Sequence, residues 1–103
     1  MATLAQIANL VPEERRAVAK SLVTELNFMR RTLVSLRKHV DKHGATVWFK
    51  NGSQEMWREN PSLKSYTALI ARYATLSRQL VSMVPEDEQP EADELDQFLA
   101  GNF

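Results

Sequence analysis

The stretch TVWFKNGSQEMWRENP, Thr46 to Pro61, separates two helix-like segments and holds both tryptophans of the 103-residue chain. Asn51-Gly52 is a strong signal for a type I′ hairpin turn, whose two central residues need the left-handed backbone region that Asn and Gly tolerate. The flanks, Ala45 to Lys50 and Ser53 to Arg58, then read as two short strands. Two strands alone are marginal in water, so the pair must rest on the helices or join hairpins from neighbouring subunits. Trp48, Phe49, Met56 and Trp57 supply the apolar surface for either a local core or a contact in assembly.

Upstream, Pro12 suits the first turn of a helix, with Glu13 and Glu14 where the helix dipole favours negative charge. From Ala19 onward Leu22, Leu26, Met29, Leu33, Leu36 and Val40 recur at alternating spacings of four and three, a heptad seam that Gly44 stops. One helix from Pro12 to His43 is a rod of roughly 48 Å, too long for so small a chain to bury its stripe by folding on itself. Downstream, Asn60 is a good N-cap, Pro61 fits a first turn and Pro85 marks the far end of a second helix. Leu63, Tyr66, Ile70, Tyr73, Leu80 and Val84 form a seam that Ser77 interrupts, and Leu69, Leu76 and Met83 make a second stripe beside it. A face this wide predicts burial against the first helix on one side and another subunit on the other.

The expected fold is mainly α: a long antiparallel helical hairpin with a short β-hairpin at 45–58 between its helices, assembled into a cyclic oligomer. Its oligomerisation residues are expected to be Leu22, Leu26, Met29, Leu33, Leu36, Leu69, Tyr73, Leu76 and Leu80. Residues 1–11 form an N-terminal segment, 12–85 the body and 86–103 a tail, of which 86–92 is expected to be mobile.

The zero net charge hides a division along the chain. Residues 1–85 carry all 13 Lys and Arg against six acids, whereas 86–103 carry seven acids and no base. A basic body with an acidic tail suits an anionic partner for the body. Absence of cysteine excludes a disulfide framework and thiolate metal clusters. No apolar run approaches the roughly 20 residues that span a bilayer, and a soluble intracellular protein without membrane contact is expected. No glycine-rich phosphate loop or nucleophile triad is present, so the expectation is no enzyme and no cofactor. In HVDKH, His39 and His43 stand one helical turn apart, but no third ligand is indicated, and no metal site is expected.

The Asn51-Gly52 turn, the run RENPSLKSYTALIARYATLSRQL from Arg58 to Leu80 and the closing DELDQFL from Asp93 to Leu99 together resemble the small subunits of phage terminases. The likeness spans roughly residues 12–99. It implies a homo-oligomeric ring of about eight to ten subunits that recognises viral double-stranded DNA and recruits the large, ATP-hydrolysing terminase subunit for genome packaging. The setting it implies is the cytoplasm of an infected bacterial host. Many such subunits carry an N-terminal helix-turn-helix, whereas only about ten residues precede the long helix here.

The DNA contacts expected from the residues are therefore on the first helix: Arg15, Arg16, Lys20, Arg30, Arg31, Arg37, Lys38 and Lys42, mostly off its seam. The same charges also suit a merely solvated helix face. In the tail, Leu95, Phe98 and Leu99 fall three and four apart among acids, the form of a segment that folds onto a partner, and they are the expected docking residues for the large subunit. Covering of the basic helix by the tail is a rival use. The alternative function is a structural or regulatory coiled-coil adaptor with no DNA role.

Overall fold

The computed structural model describes residues 3–89. The chain is mainly helical, with a two-stranded antiparallel β-hairpin between two long helices. A short helix α1 (Leu4–Asn9) and a 3-10 turn (Glu13–Arg15) lead into α2 (Arg16–His43). Strands β1 (Thr46–Asn51) and β2 (Gln54–Glu59) follow, then α3 (Pro61–Ser82) and a 3-10 turn at Glu86–Glu88.

The N-terminal segment is an element of the fold rather than a lead-in. Thr3 and Gln6 form a capping box at the start of α1: Gln6 N–H donates to Thr3 Oγ1 at 3.1 Å and Thr3 N–H to Gln6 Oε1 at 2.9 Å. Leu4, Ile7 and Ala8 on one face of α1, and Val11 after it, are buried against both long helices. The expected helical start at Pro12 moves to Arg16, because residues 13–15 wind into the tighter turn that brings α1 back across the body.

Helices α2 and α3 run antiparallel, with His39 beside Asn60 at one end and Arg30 beside Tyr73 further along. Their seams meet as the heptad spacing requires, burying Ala19, Leu26, Met29 and Leu33 against Tyr73, Ser77, Leu80 and Val81. This corrects the expectation for Leu26, Met29 and Leu33, the middle of the stripe, which need no other chain for their burial. With α1 and the turn residues Met83 and Val84 closing the same cluster, one chain buries Leu26, Met29, Leu33, Tyr73 and Leu80 by itself. Leu22, Leu36, Leu69 and Leu76 are half-buried. The core is thus dense at the α1 end and thins toward the β-hairpin, where Leu36, Val40, Leu63 and Tyr66 are only half-covered.

The turn of the β-hairpin also differs from expectation. Asn51 pairs with Gln54, so the two loop residues are Gly52 and Ser53, one position later than Asn51-Gly52. Only Gly52 has positive φ, at 62°, which is the sign pattern of a type II′ turn with glycine first. Side-chain pairing across the strands accounts for the shift. This register sets Trp48 opposite Trp57, Phe49 opposite Met56 and Lys50 opposite Glu55, whereas an Asn51-Gly52 loop sets Trp48 against Glu55.

Past α3, Gln89 Nε2 donates to the Val84 and Val81 carbonyls at 3.1 and 3.4 Å, which sets Gln89 against the helix end. The remaining tail, with Leu95, Phe98 and Leu99, lies outside the described residues.

Asn60 holds the sparsely packed end together. It is fully buried, and its Oδ1 accepts from Ser62 N–H at 2.9 Å as the α3 N-cap. That bond fixes the amide orientation, and Nδ2 then donates to the Gly44 carbonyl at 2.9 Å and faces His39 Nδ1 at 3.3 Å. Its backbone N–H donates to the Ala45 carbonyl at 2.8 Å. Asn60→Ala is expected to lower stability by about 2–3 kcal/mol, the sum of a lost cap and a lost buried hydrogen bond. Asn60→Asp, which retains the cap acceptor but cannot donate to Gly44, is also expected to destabilise. Urea denaturation followed by helical circular dichroism checks both.

Burial pushes the Tyr73 phenol above its ordinary value of 10.0, outweighing the opposing influence of Arg30 and Ser77. Ser77 Oγ is itself buried without a well-aligned hydrogen bond. The unfolded chain releases the phenolic proton more readily than the folded one, so this contribution is complete below pH 10 and is lost as pH rises through the folded value. Thermal midpoints measured across that alkaline range are expected to fall less steeply for Tyr73→Phe than for the parent chain.

Candidate nucleic-acid interface

Helix α2 carries seven Lys and Arg against two acids, and α3 carries Lys64, Arg72 and Arg78 with no acid at all. Bases outnumber acids on both helices because the acids of the body lie in the turns and the β-hairpin, apart from Glu25 and Asp41 on α2. Five of the seven bases of α2, Lys20, Arg31, Arg37, Lys38 and Lys42, escape burial because the heptad seam places Leu and Met inward and leaves the intervening positions to solvent.

The eight expected DNA-contacting residues do not form one uniform set. Arg15, Lys20, Arg31, Arg37, Lys38 and Lys42 are exposed, and none forms an ion pair among the described residues. Arg30 and Arg37, and beside them Arg31 and Lys38, repeat at seven-residue intervals, giving two adjacent rows of positive charge with a repeat of roughly 10 Å. Arg30 is half-buried and sits beside the Tyr73 phenol, where its charge favours the phenolate.

Arg16 serves the fold instead. Its Nε donates to the Val11 carbonyl at 3.2 Å, and one terminal nitrogen reaches Val11 and Asn9 carbonyls at 3.1 and 3.3 Å. A guanidinium here satisfies carbonyls left open where α1 ends and fastens that helix to the start of α2. Thr3-x-x-Gln6 and the Leu4, Ile7, Ala8 spacing are a local helix signal, but the return of Arg16 onto the end of that helix depends on the turn at residues 13–15 and has no mark in the sequence.

Sequence reading also passes over Arg72. It lines an open groove of about 500 Å³ between the long helices, together with Thr32, Leu36, Ser65, Ala68 and Leu69. Its isolation in sequence from the α2 cluster conceals it, although the antiparallel pairing brings it alongside Thr32. His39 and His43 have ring centroids 4.4 Å apart. His39 Nδ1 is turned toward the Asn60 carboxamide. No group of three His, Cys, Asp or Glu gathers as a metal-ligand set among the described residues. No helix among them is long and apolar enough to cross a membrane.

No protein-family model, curated protein or solved structure matches the chain. The functional reading therefore stands on the residues and their arrangement.

The division of labour among the arginines has a direct check. Arg16→Gln is expected to cost about 1.5–3 kcal/mol of stability, the usual range for hydrogen bonds from a charged donor. Lys38→Gln and Lys42→Gln are expected to change stability by no more than about 0.5 kcal/mol, as befits exposed side chains. Thermal denaturation of the three variants separates the two classes.

Proposed function

We propose that the protein is the DNA-recognising and recruiting component of a viral genome-packaging machine, of the terminase small-subunit kind, working as a homo-oligomeric ring. The supporting observation is the exposed set Arg31, Arg37, Lys38 and Lys42 on α2, none of which forms an ion pair among the described residues. Such a surface attracts a polyanion through phosphate contacts and counterion release, without reading sequence by itself. Repetition around a ring multiplies weak contacts into useful avidity. The resemblance in the Arg58–Leu80 run supplies the biological setting, including recruitment of the large subunit through Leu95, Phe98 and Leu99.

Binding to a duplex, followed by fluorescence anisotropy at several salt concentrations, tests the reading. Affinity is expected to fall steeply with salt, and changing Arg31, Arg37, Lys38 and Lys42 together to Gln is expected to reduce the slope of log K against log salt by about 3–4 per engaged chain. Full retention of affinity and slope would move the site away from α2. No binding at low salt would leave the helical-hairpin adaptor, for which the exposed aromatic β-hairpin already offers a protein-contact surface.

A further inference from the structure

The β-hairpin is the part of the described chain that the rest covers least. Every residue of β2 is exposed. Trp48 and Trp57 keep 52% and 66% of their surface in water, and Met56 keeps 46%. Isolated two-stranded ribbons are marginal, and a cluster of exposed aromatic surface signals a contact.

Directly opposed residues share a face of the ribbon, so the register defines its two sides. Thr46, Trp48, Lys50, Glu55, Trp57 and Glu59 lie on one side. Val47, Phe49, Met56 and Arg58 lie on the other. A hairpin made to rest on its own helices has one apolar face and one wet face. This one carries apolar side chains on both, with Trp48 and Trp57 exposed on the first and Met56 exposed beside the half-buried Val47 and Phe49 on the second. The indoles meet edge to face at 5.5 Å on the first side, and the Arg58 guanidinium lies 4.5 Å from the centre of the Phe49 ring on the second.

The two faces also differ in charge. On the tryptophan face, Lys50 and Glu55 neutralise each other at 3.3 Å, which leaves Glu59 unpaired by any base among the described residues. On the phenylalanine face, Arg58 has no carboxylate partner among them. Because Arg58 and Glu59 are neighbours in β2, laying the tryptophan face of one ribbon on the phenylalanine face of another in the same orientation brings Glu59 of one toward Arg58 of the other.

We infer that the two faces of the β-hairpin are complementary halves of a contact between copies of this chain, the Trp48–Trp57 face of one copy seated on the Phe49, Met56 and Arg58 face of the next. A contact between unlike faces is head-to-tail, and it uses up every face only when it closes into a ring. Pairing of like tryptophan faces would leave Met56 and Arg58 uncovered. The inference rests on the oligomeric part of the function proposed above and is independent of its DNA part.

Trp48 and Trp57 are the only tryptophans, so intrinsic fluorescence of the full chain reads the hairpin alone. As concentration rises and mass by light scattering increases, the emission is expected to shift to the blue and acrylamide quenching to fall severalfold. An oligomer whose tryptophans stay as quenchable as in dilute solution would overturn the inference and leave the ring assembled through another surface. A monomer at every concentration would overturn both.

Charge reversal tests the unlike pairing. Arg58→Glu and Glu59→Arg, at exposed positions, are each expected to raise the concentration needed for assembly about tenfold or more, through like-charge contact. The double variant R58E/E59R sets opposite charges across every contact and is expected to assemble like the parent chain, and an equimolar mixture of the single variants, which does so wherever the two alternate, is expected to assemble more readily than either alone. If neither mixture nor double variant improved on the single variants, the head-to-tail arrangement would be wrong. Loss of DNA binding in any of these proteins leaves the result of the assembly measurement intact.

Discussion

The Asn60 carboxamide is where the end of α2, the base of the β-hairpin and the start of α3 are held to one another. Its oxygen caps α3, its nitrogen donates to the Gly44 carbonyl at the α2 terminus, and its backbone N–H closes the hairpin base on Ala45. Elsewhere in a helical protein such a junction is fixed by apolar packing. Here the neighbouring seam residues are only half-buried, so directional hydrogen bonds supply the geometry that a core would otherwise impose. Gly44 completes the junction. At φ 85° it leaves the helix in a conformation other residues rarely adopt, and it both receives the Asn60 bond and donates its own N–H to Val40 at 2.7 Å.

The opposite end obeys a different rule. There α1 lies across both long helices, and Ile7, Val11, Leu26, Leu33, Tyr73 and Leu80 are sealed from solvent. Two helices alone expose one flank of any heptad seam, and the third element removes that exposure where it packs. Arg16 makes the arrangement durable by bonding the carbonyls at the end of α1. The positive charge that counts toward an anionic surface is therefore smaller than the sequence total, since one arginine is committed to internal carbonyls and another stands against a phenol.

Much of this architecture is legible in the sequence, and the failures have physical causes. Heptad spacing, Asn60-Pro61 and Gly44 mark both long helices and their boundary at the hairpin, because periodicity and capping are local properties. Sequence reading places the turn one residue early because Asn-Gly is only a local preference, overridden by the Trp48–Trp57 and Phe49–Met56 pairs that a shifted register creates. It assigns the burial of Leu26, Met29 and Leu33 to a second chain because the local helix signal of Thr3, Leu4, Gln6, Ile7 and Ala8 does not say where so short a segment packs. The exposed bases of α2 are visible from their positions off the seam. The internal role of Arg16 and the place of Arg72 beside Thr32 are not, since each depends on a contact distant in sequence.

The body extends 61 Å along its longest axis, with α1 and the end of α3 packed together at one pole and the β-hairpin at the other. Both termini of the described chain thus emerge at the pole remote from the tryptophans. A molecule so arranged has a direction. If copies meet through their hairpins, the α1 end of each body stays clear of that contact.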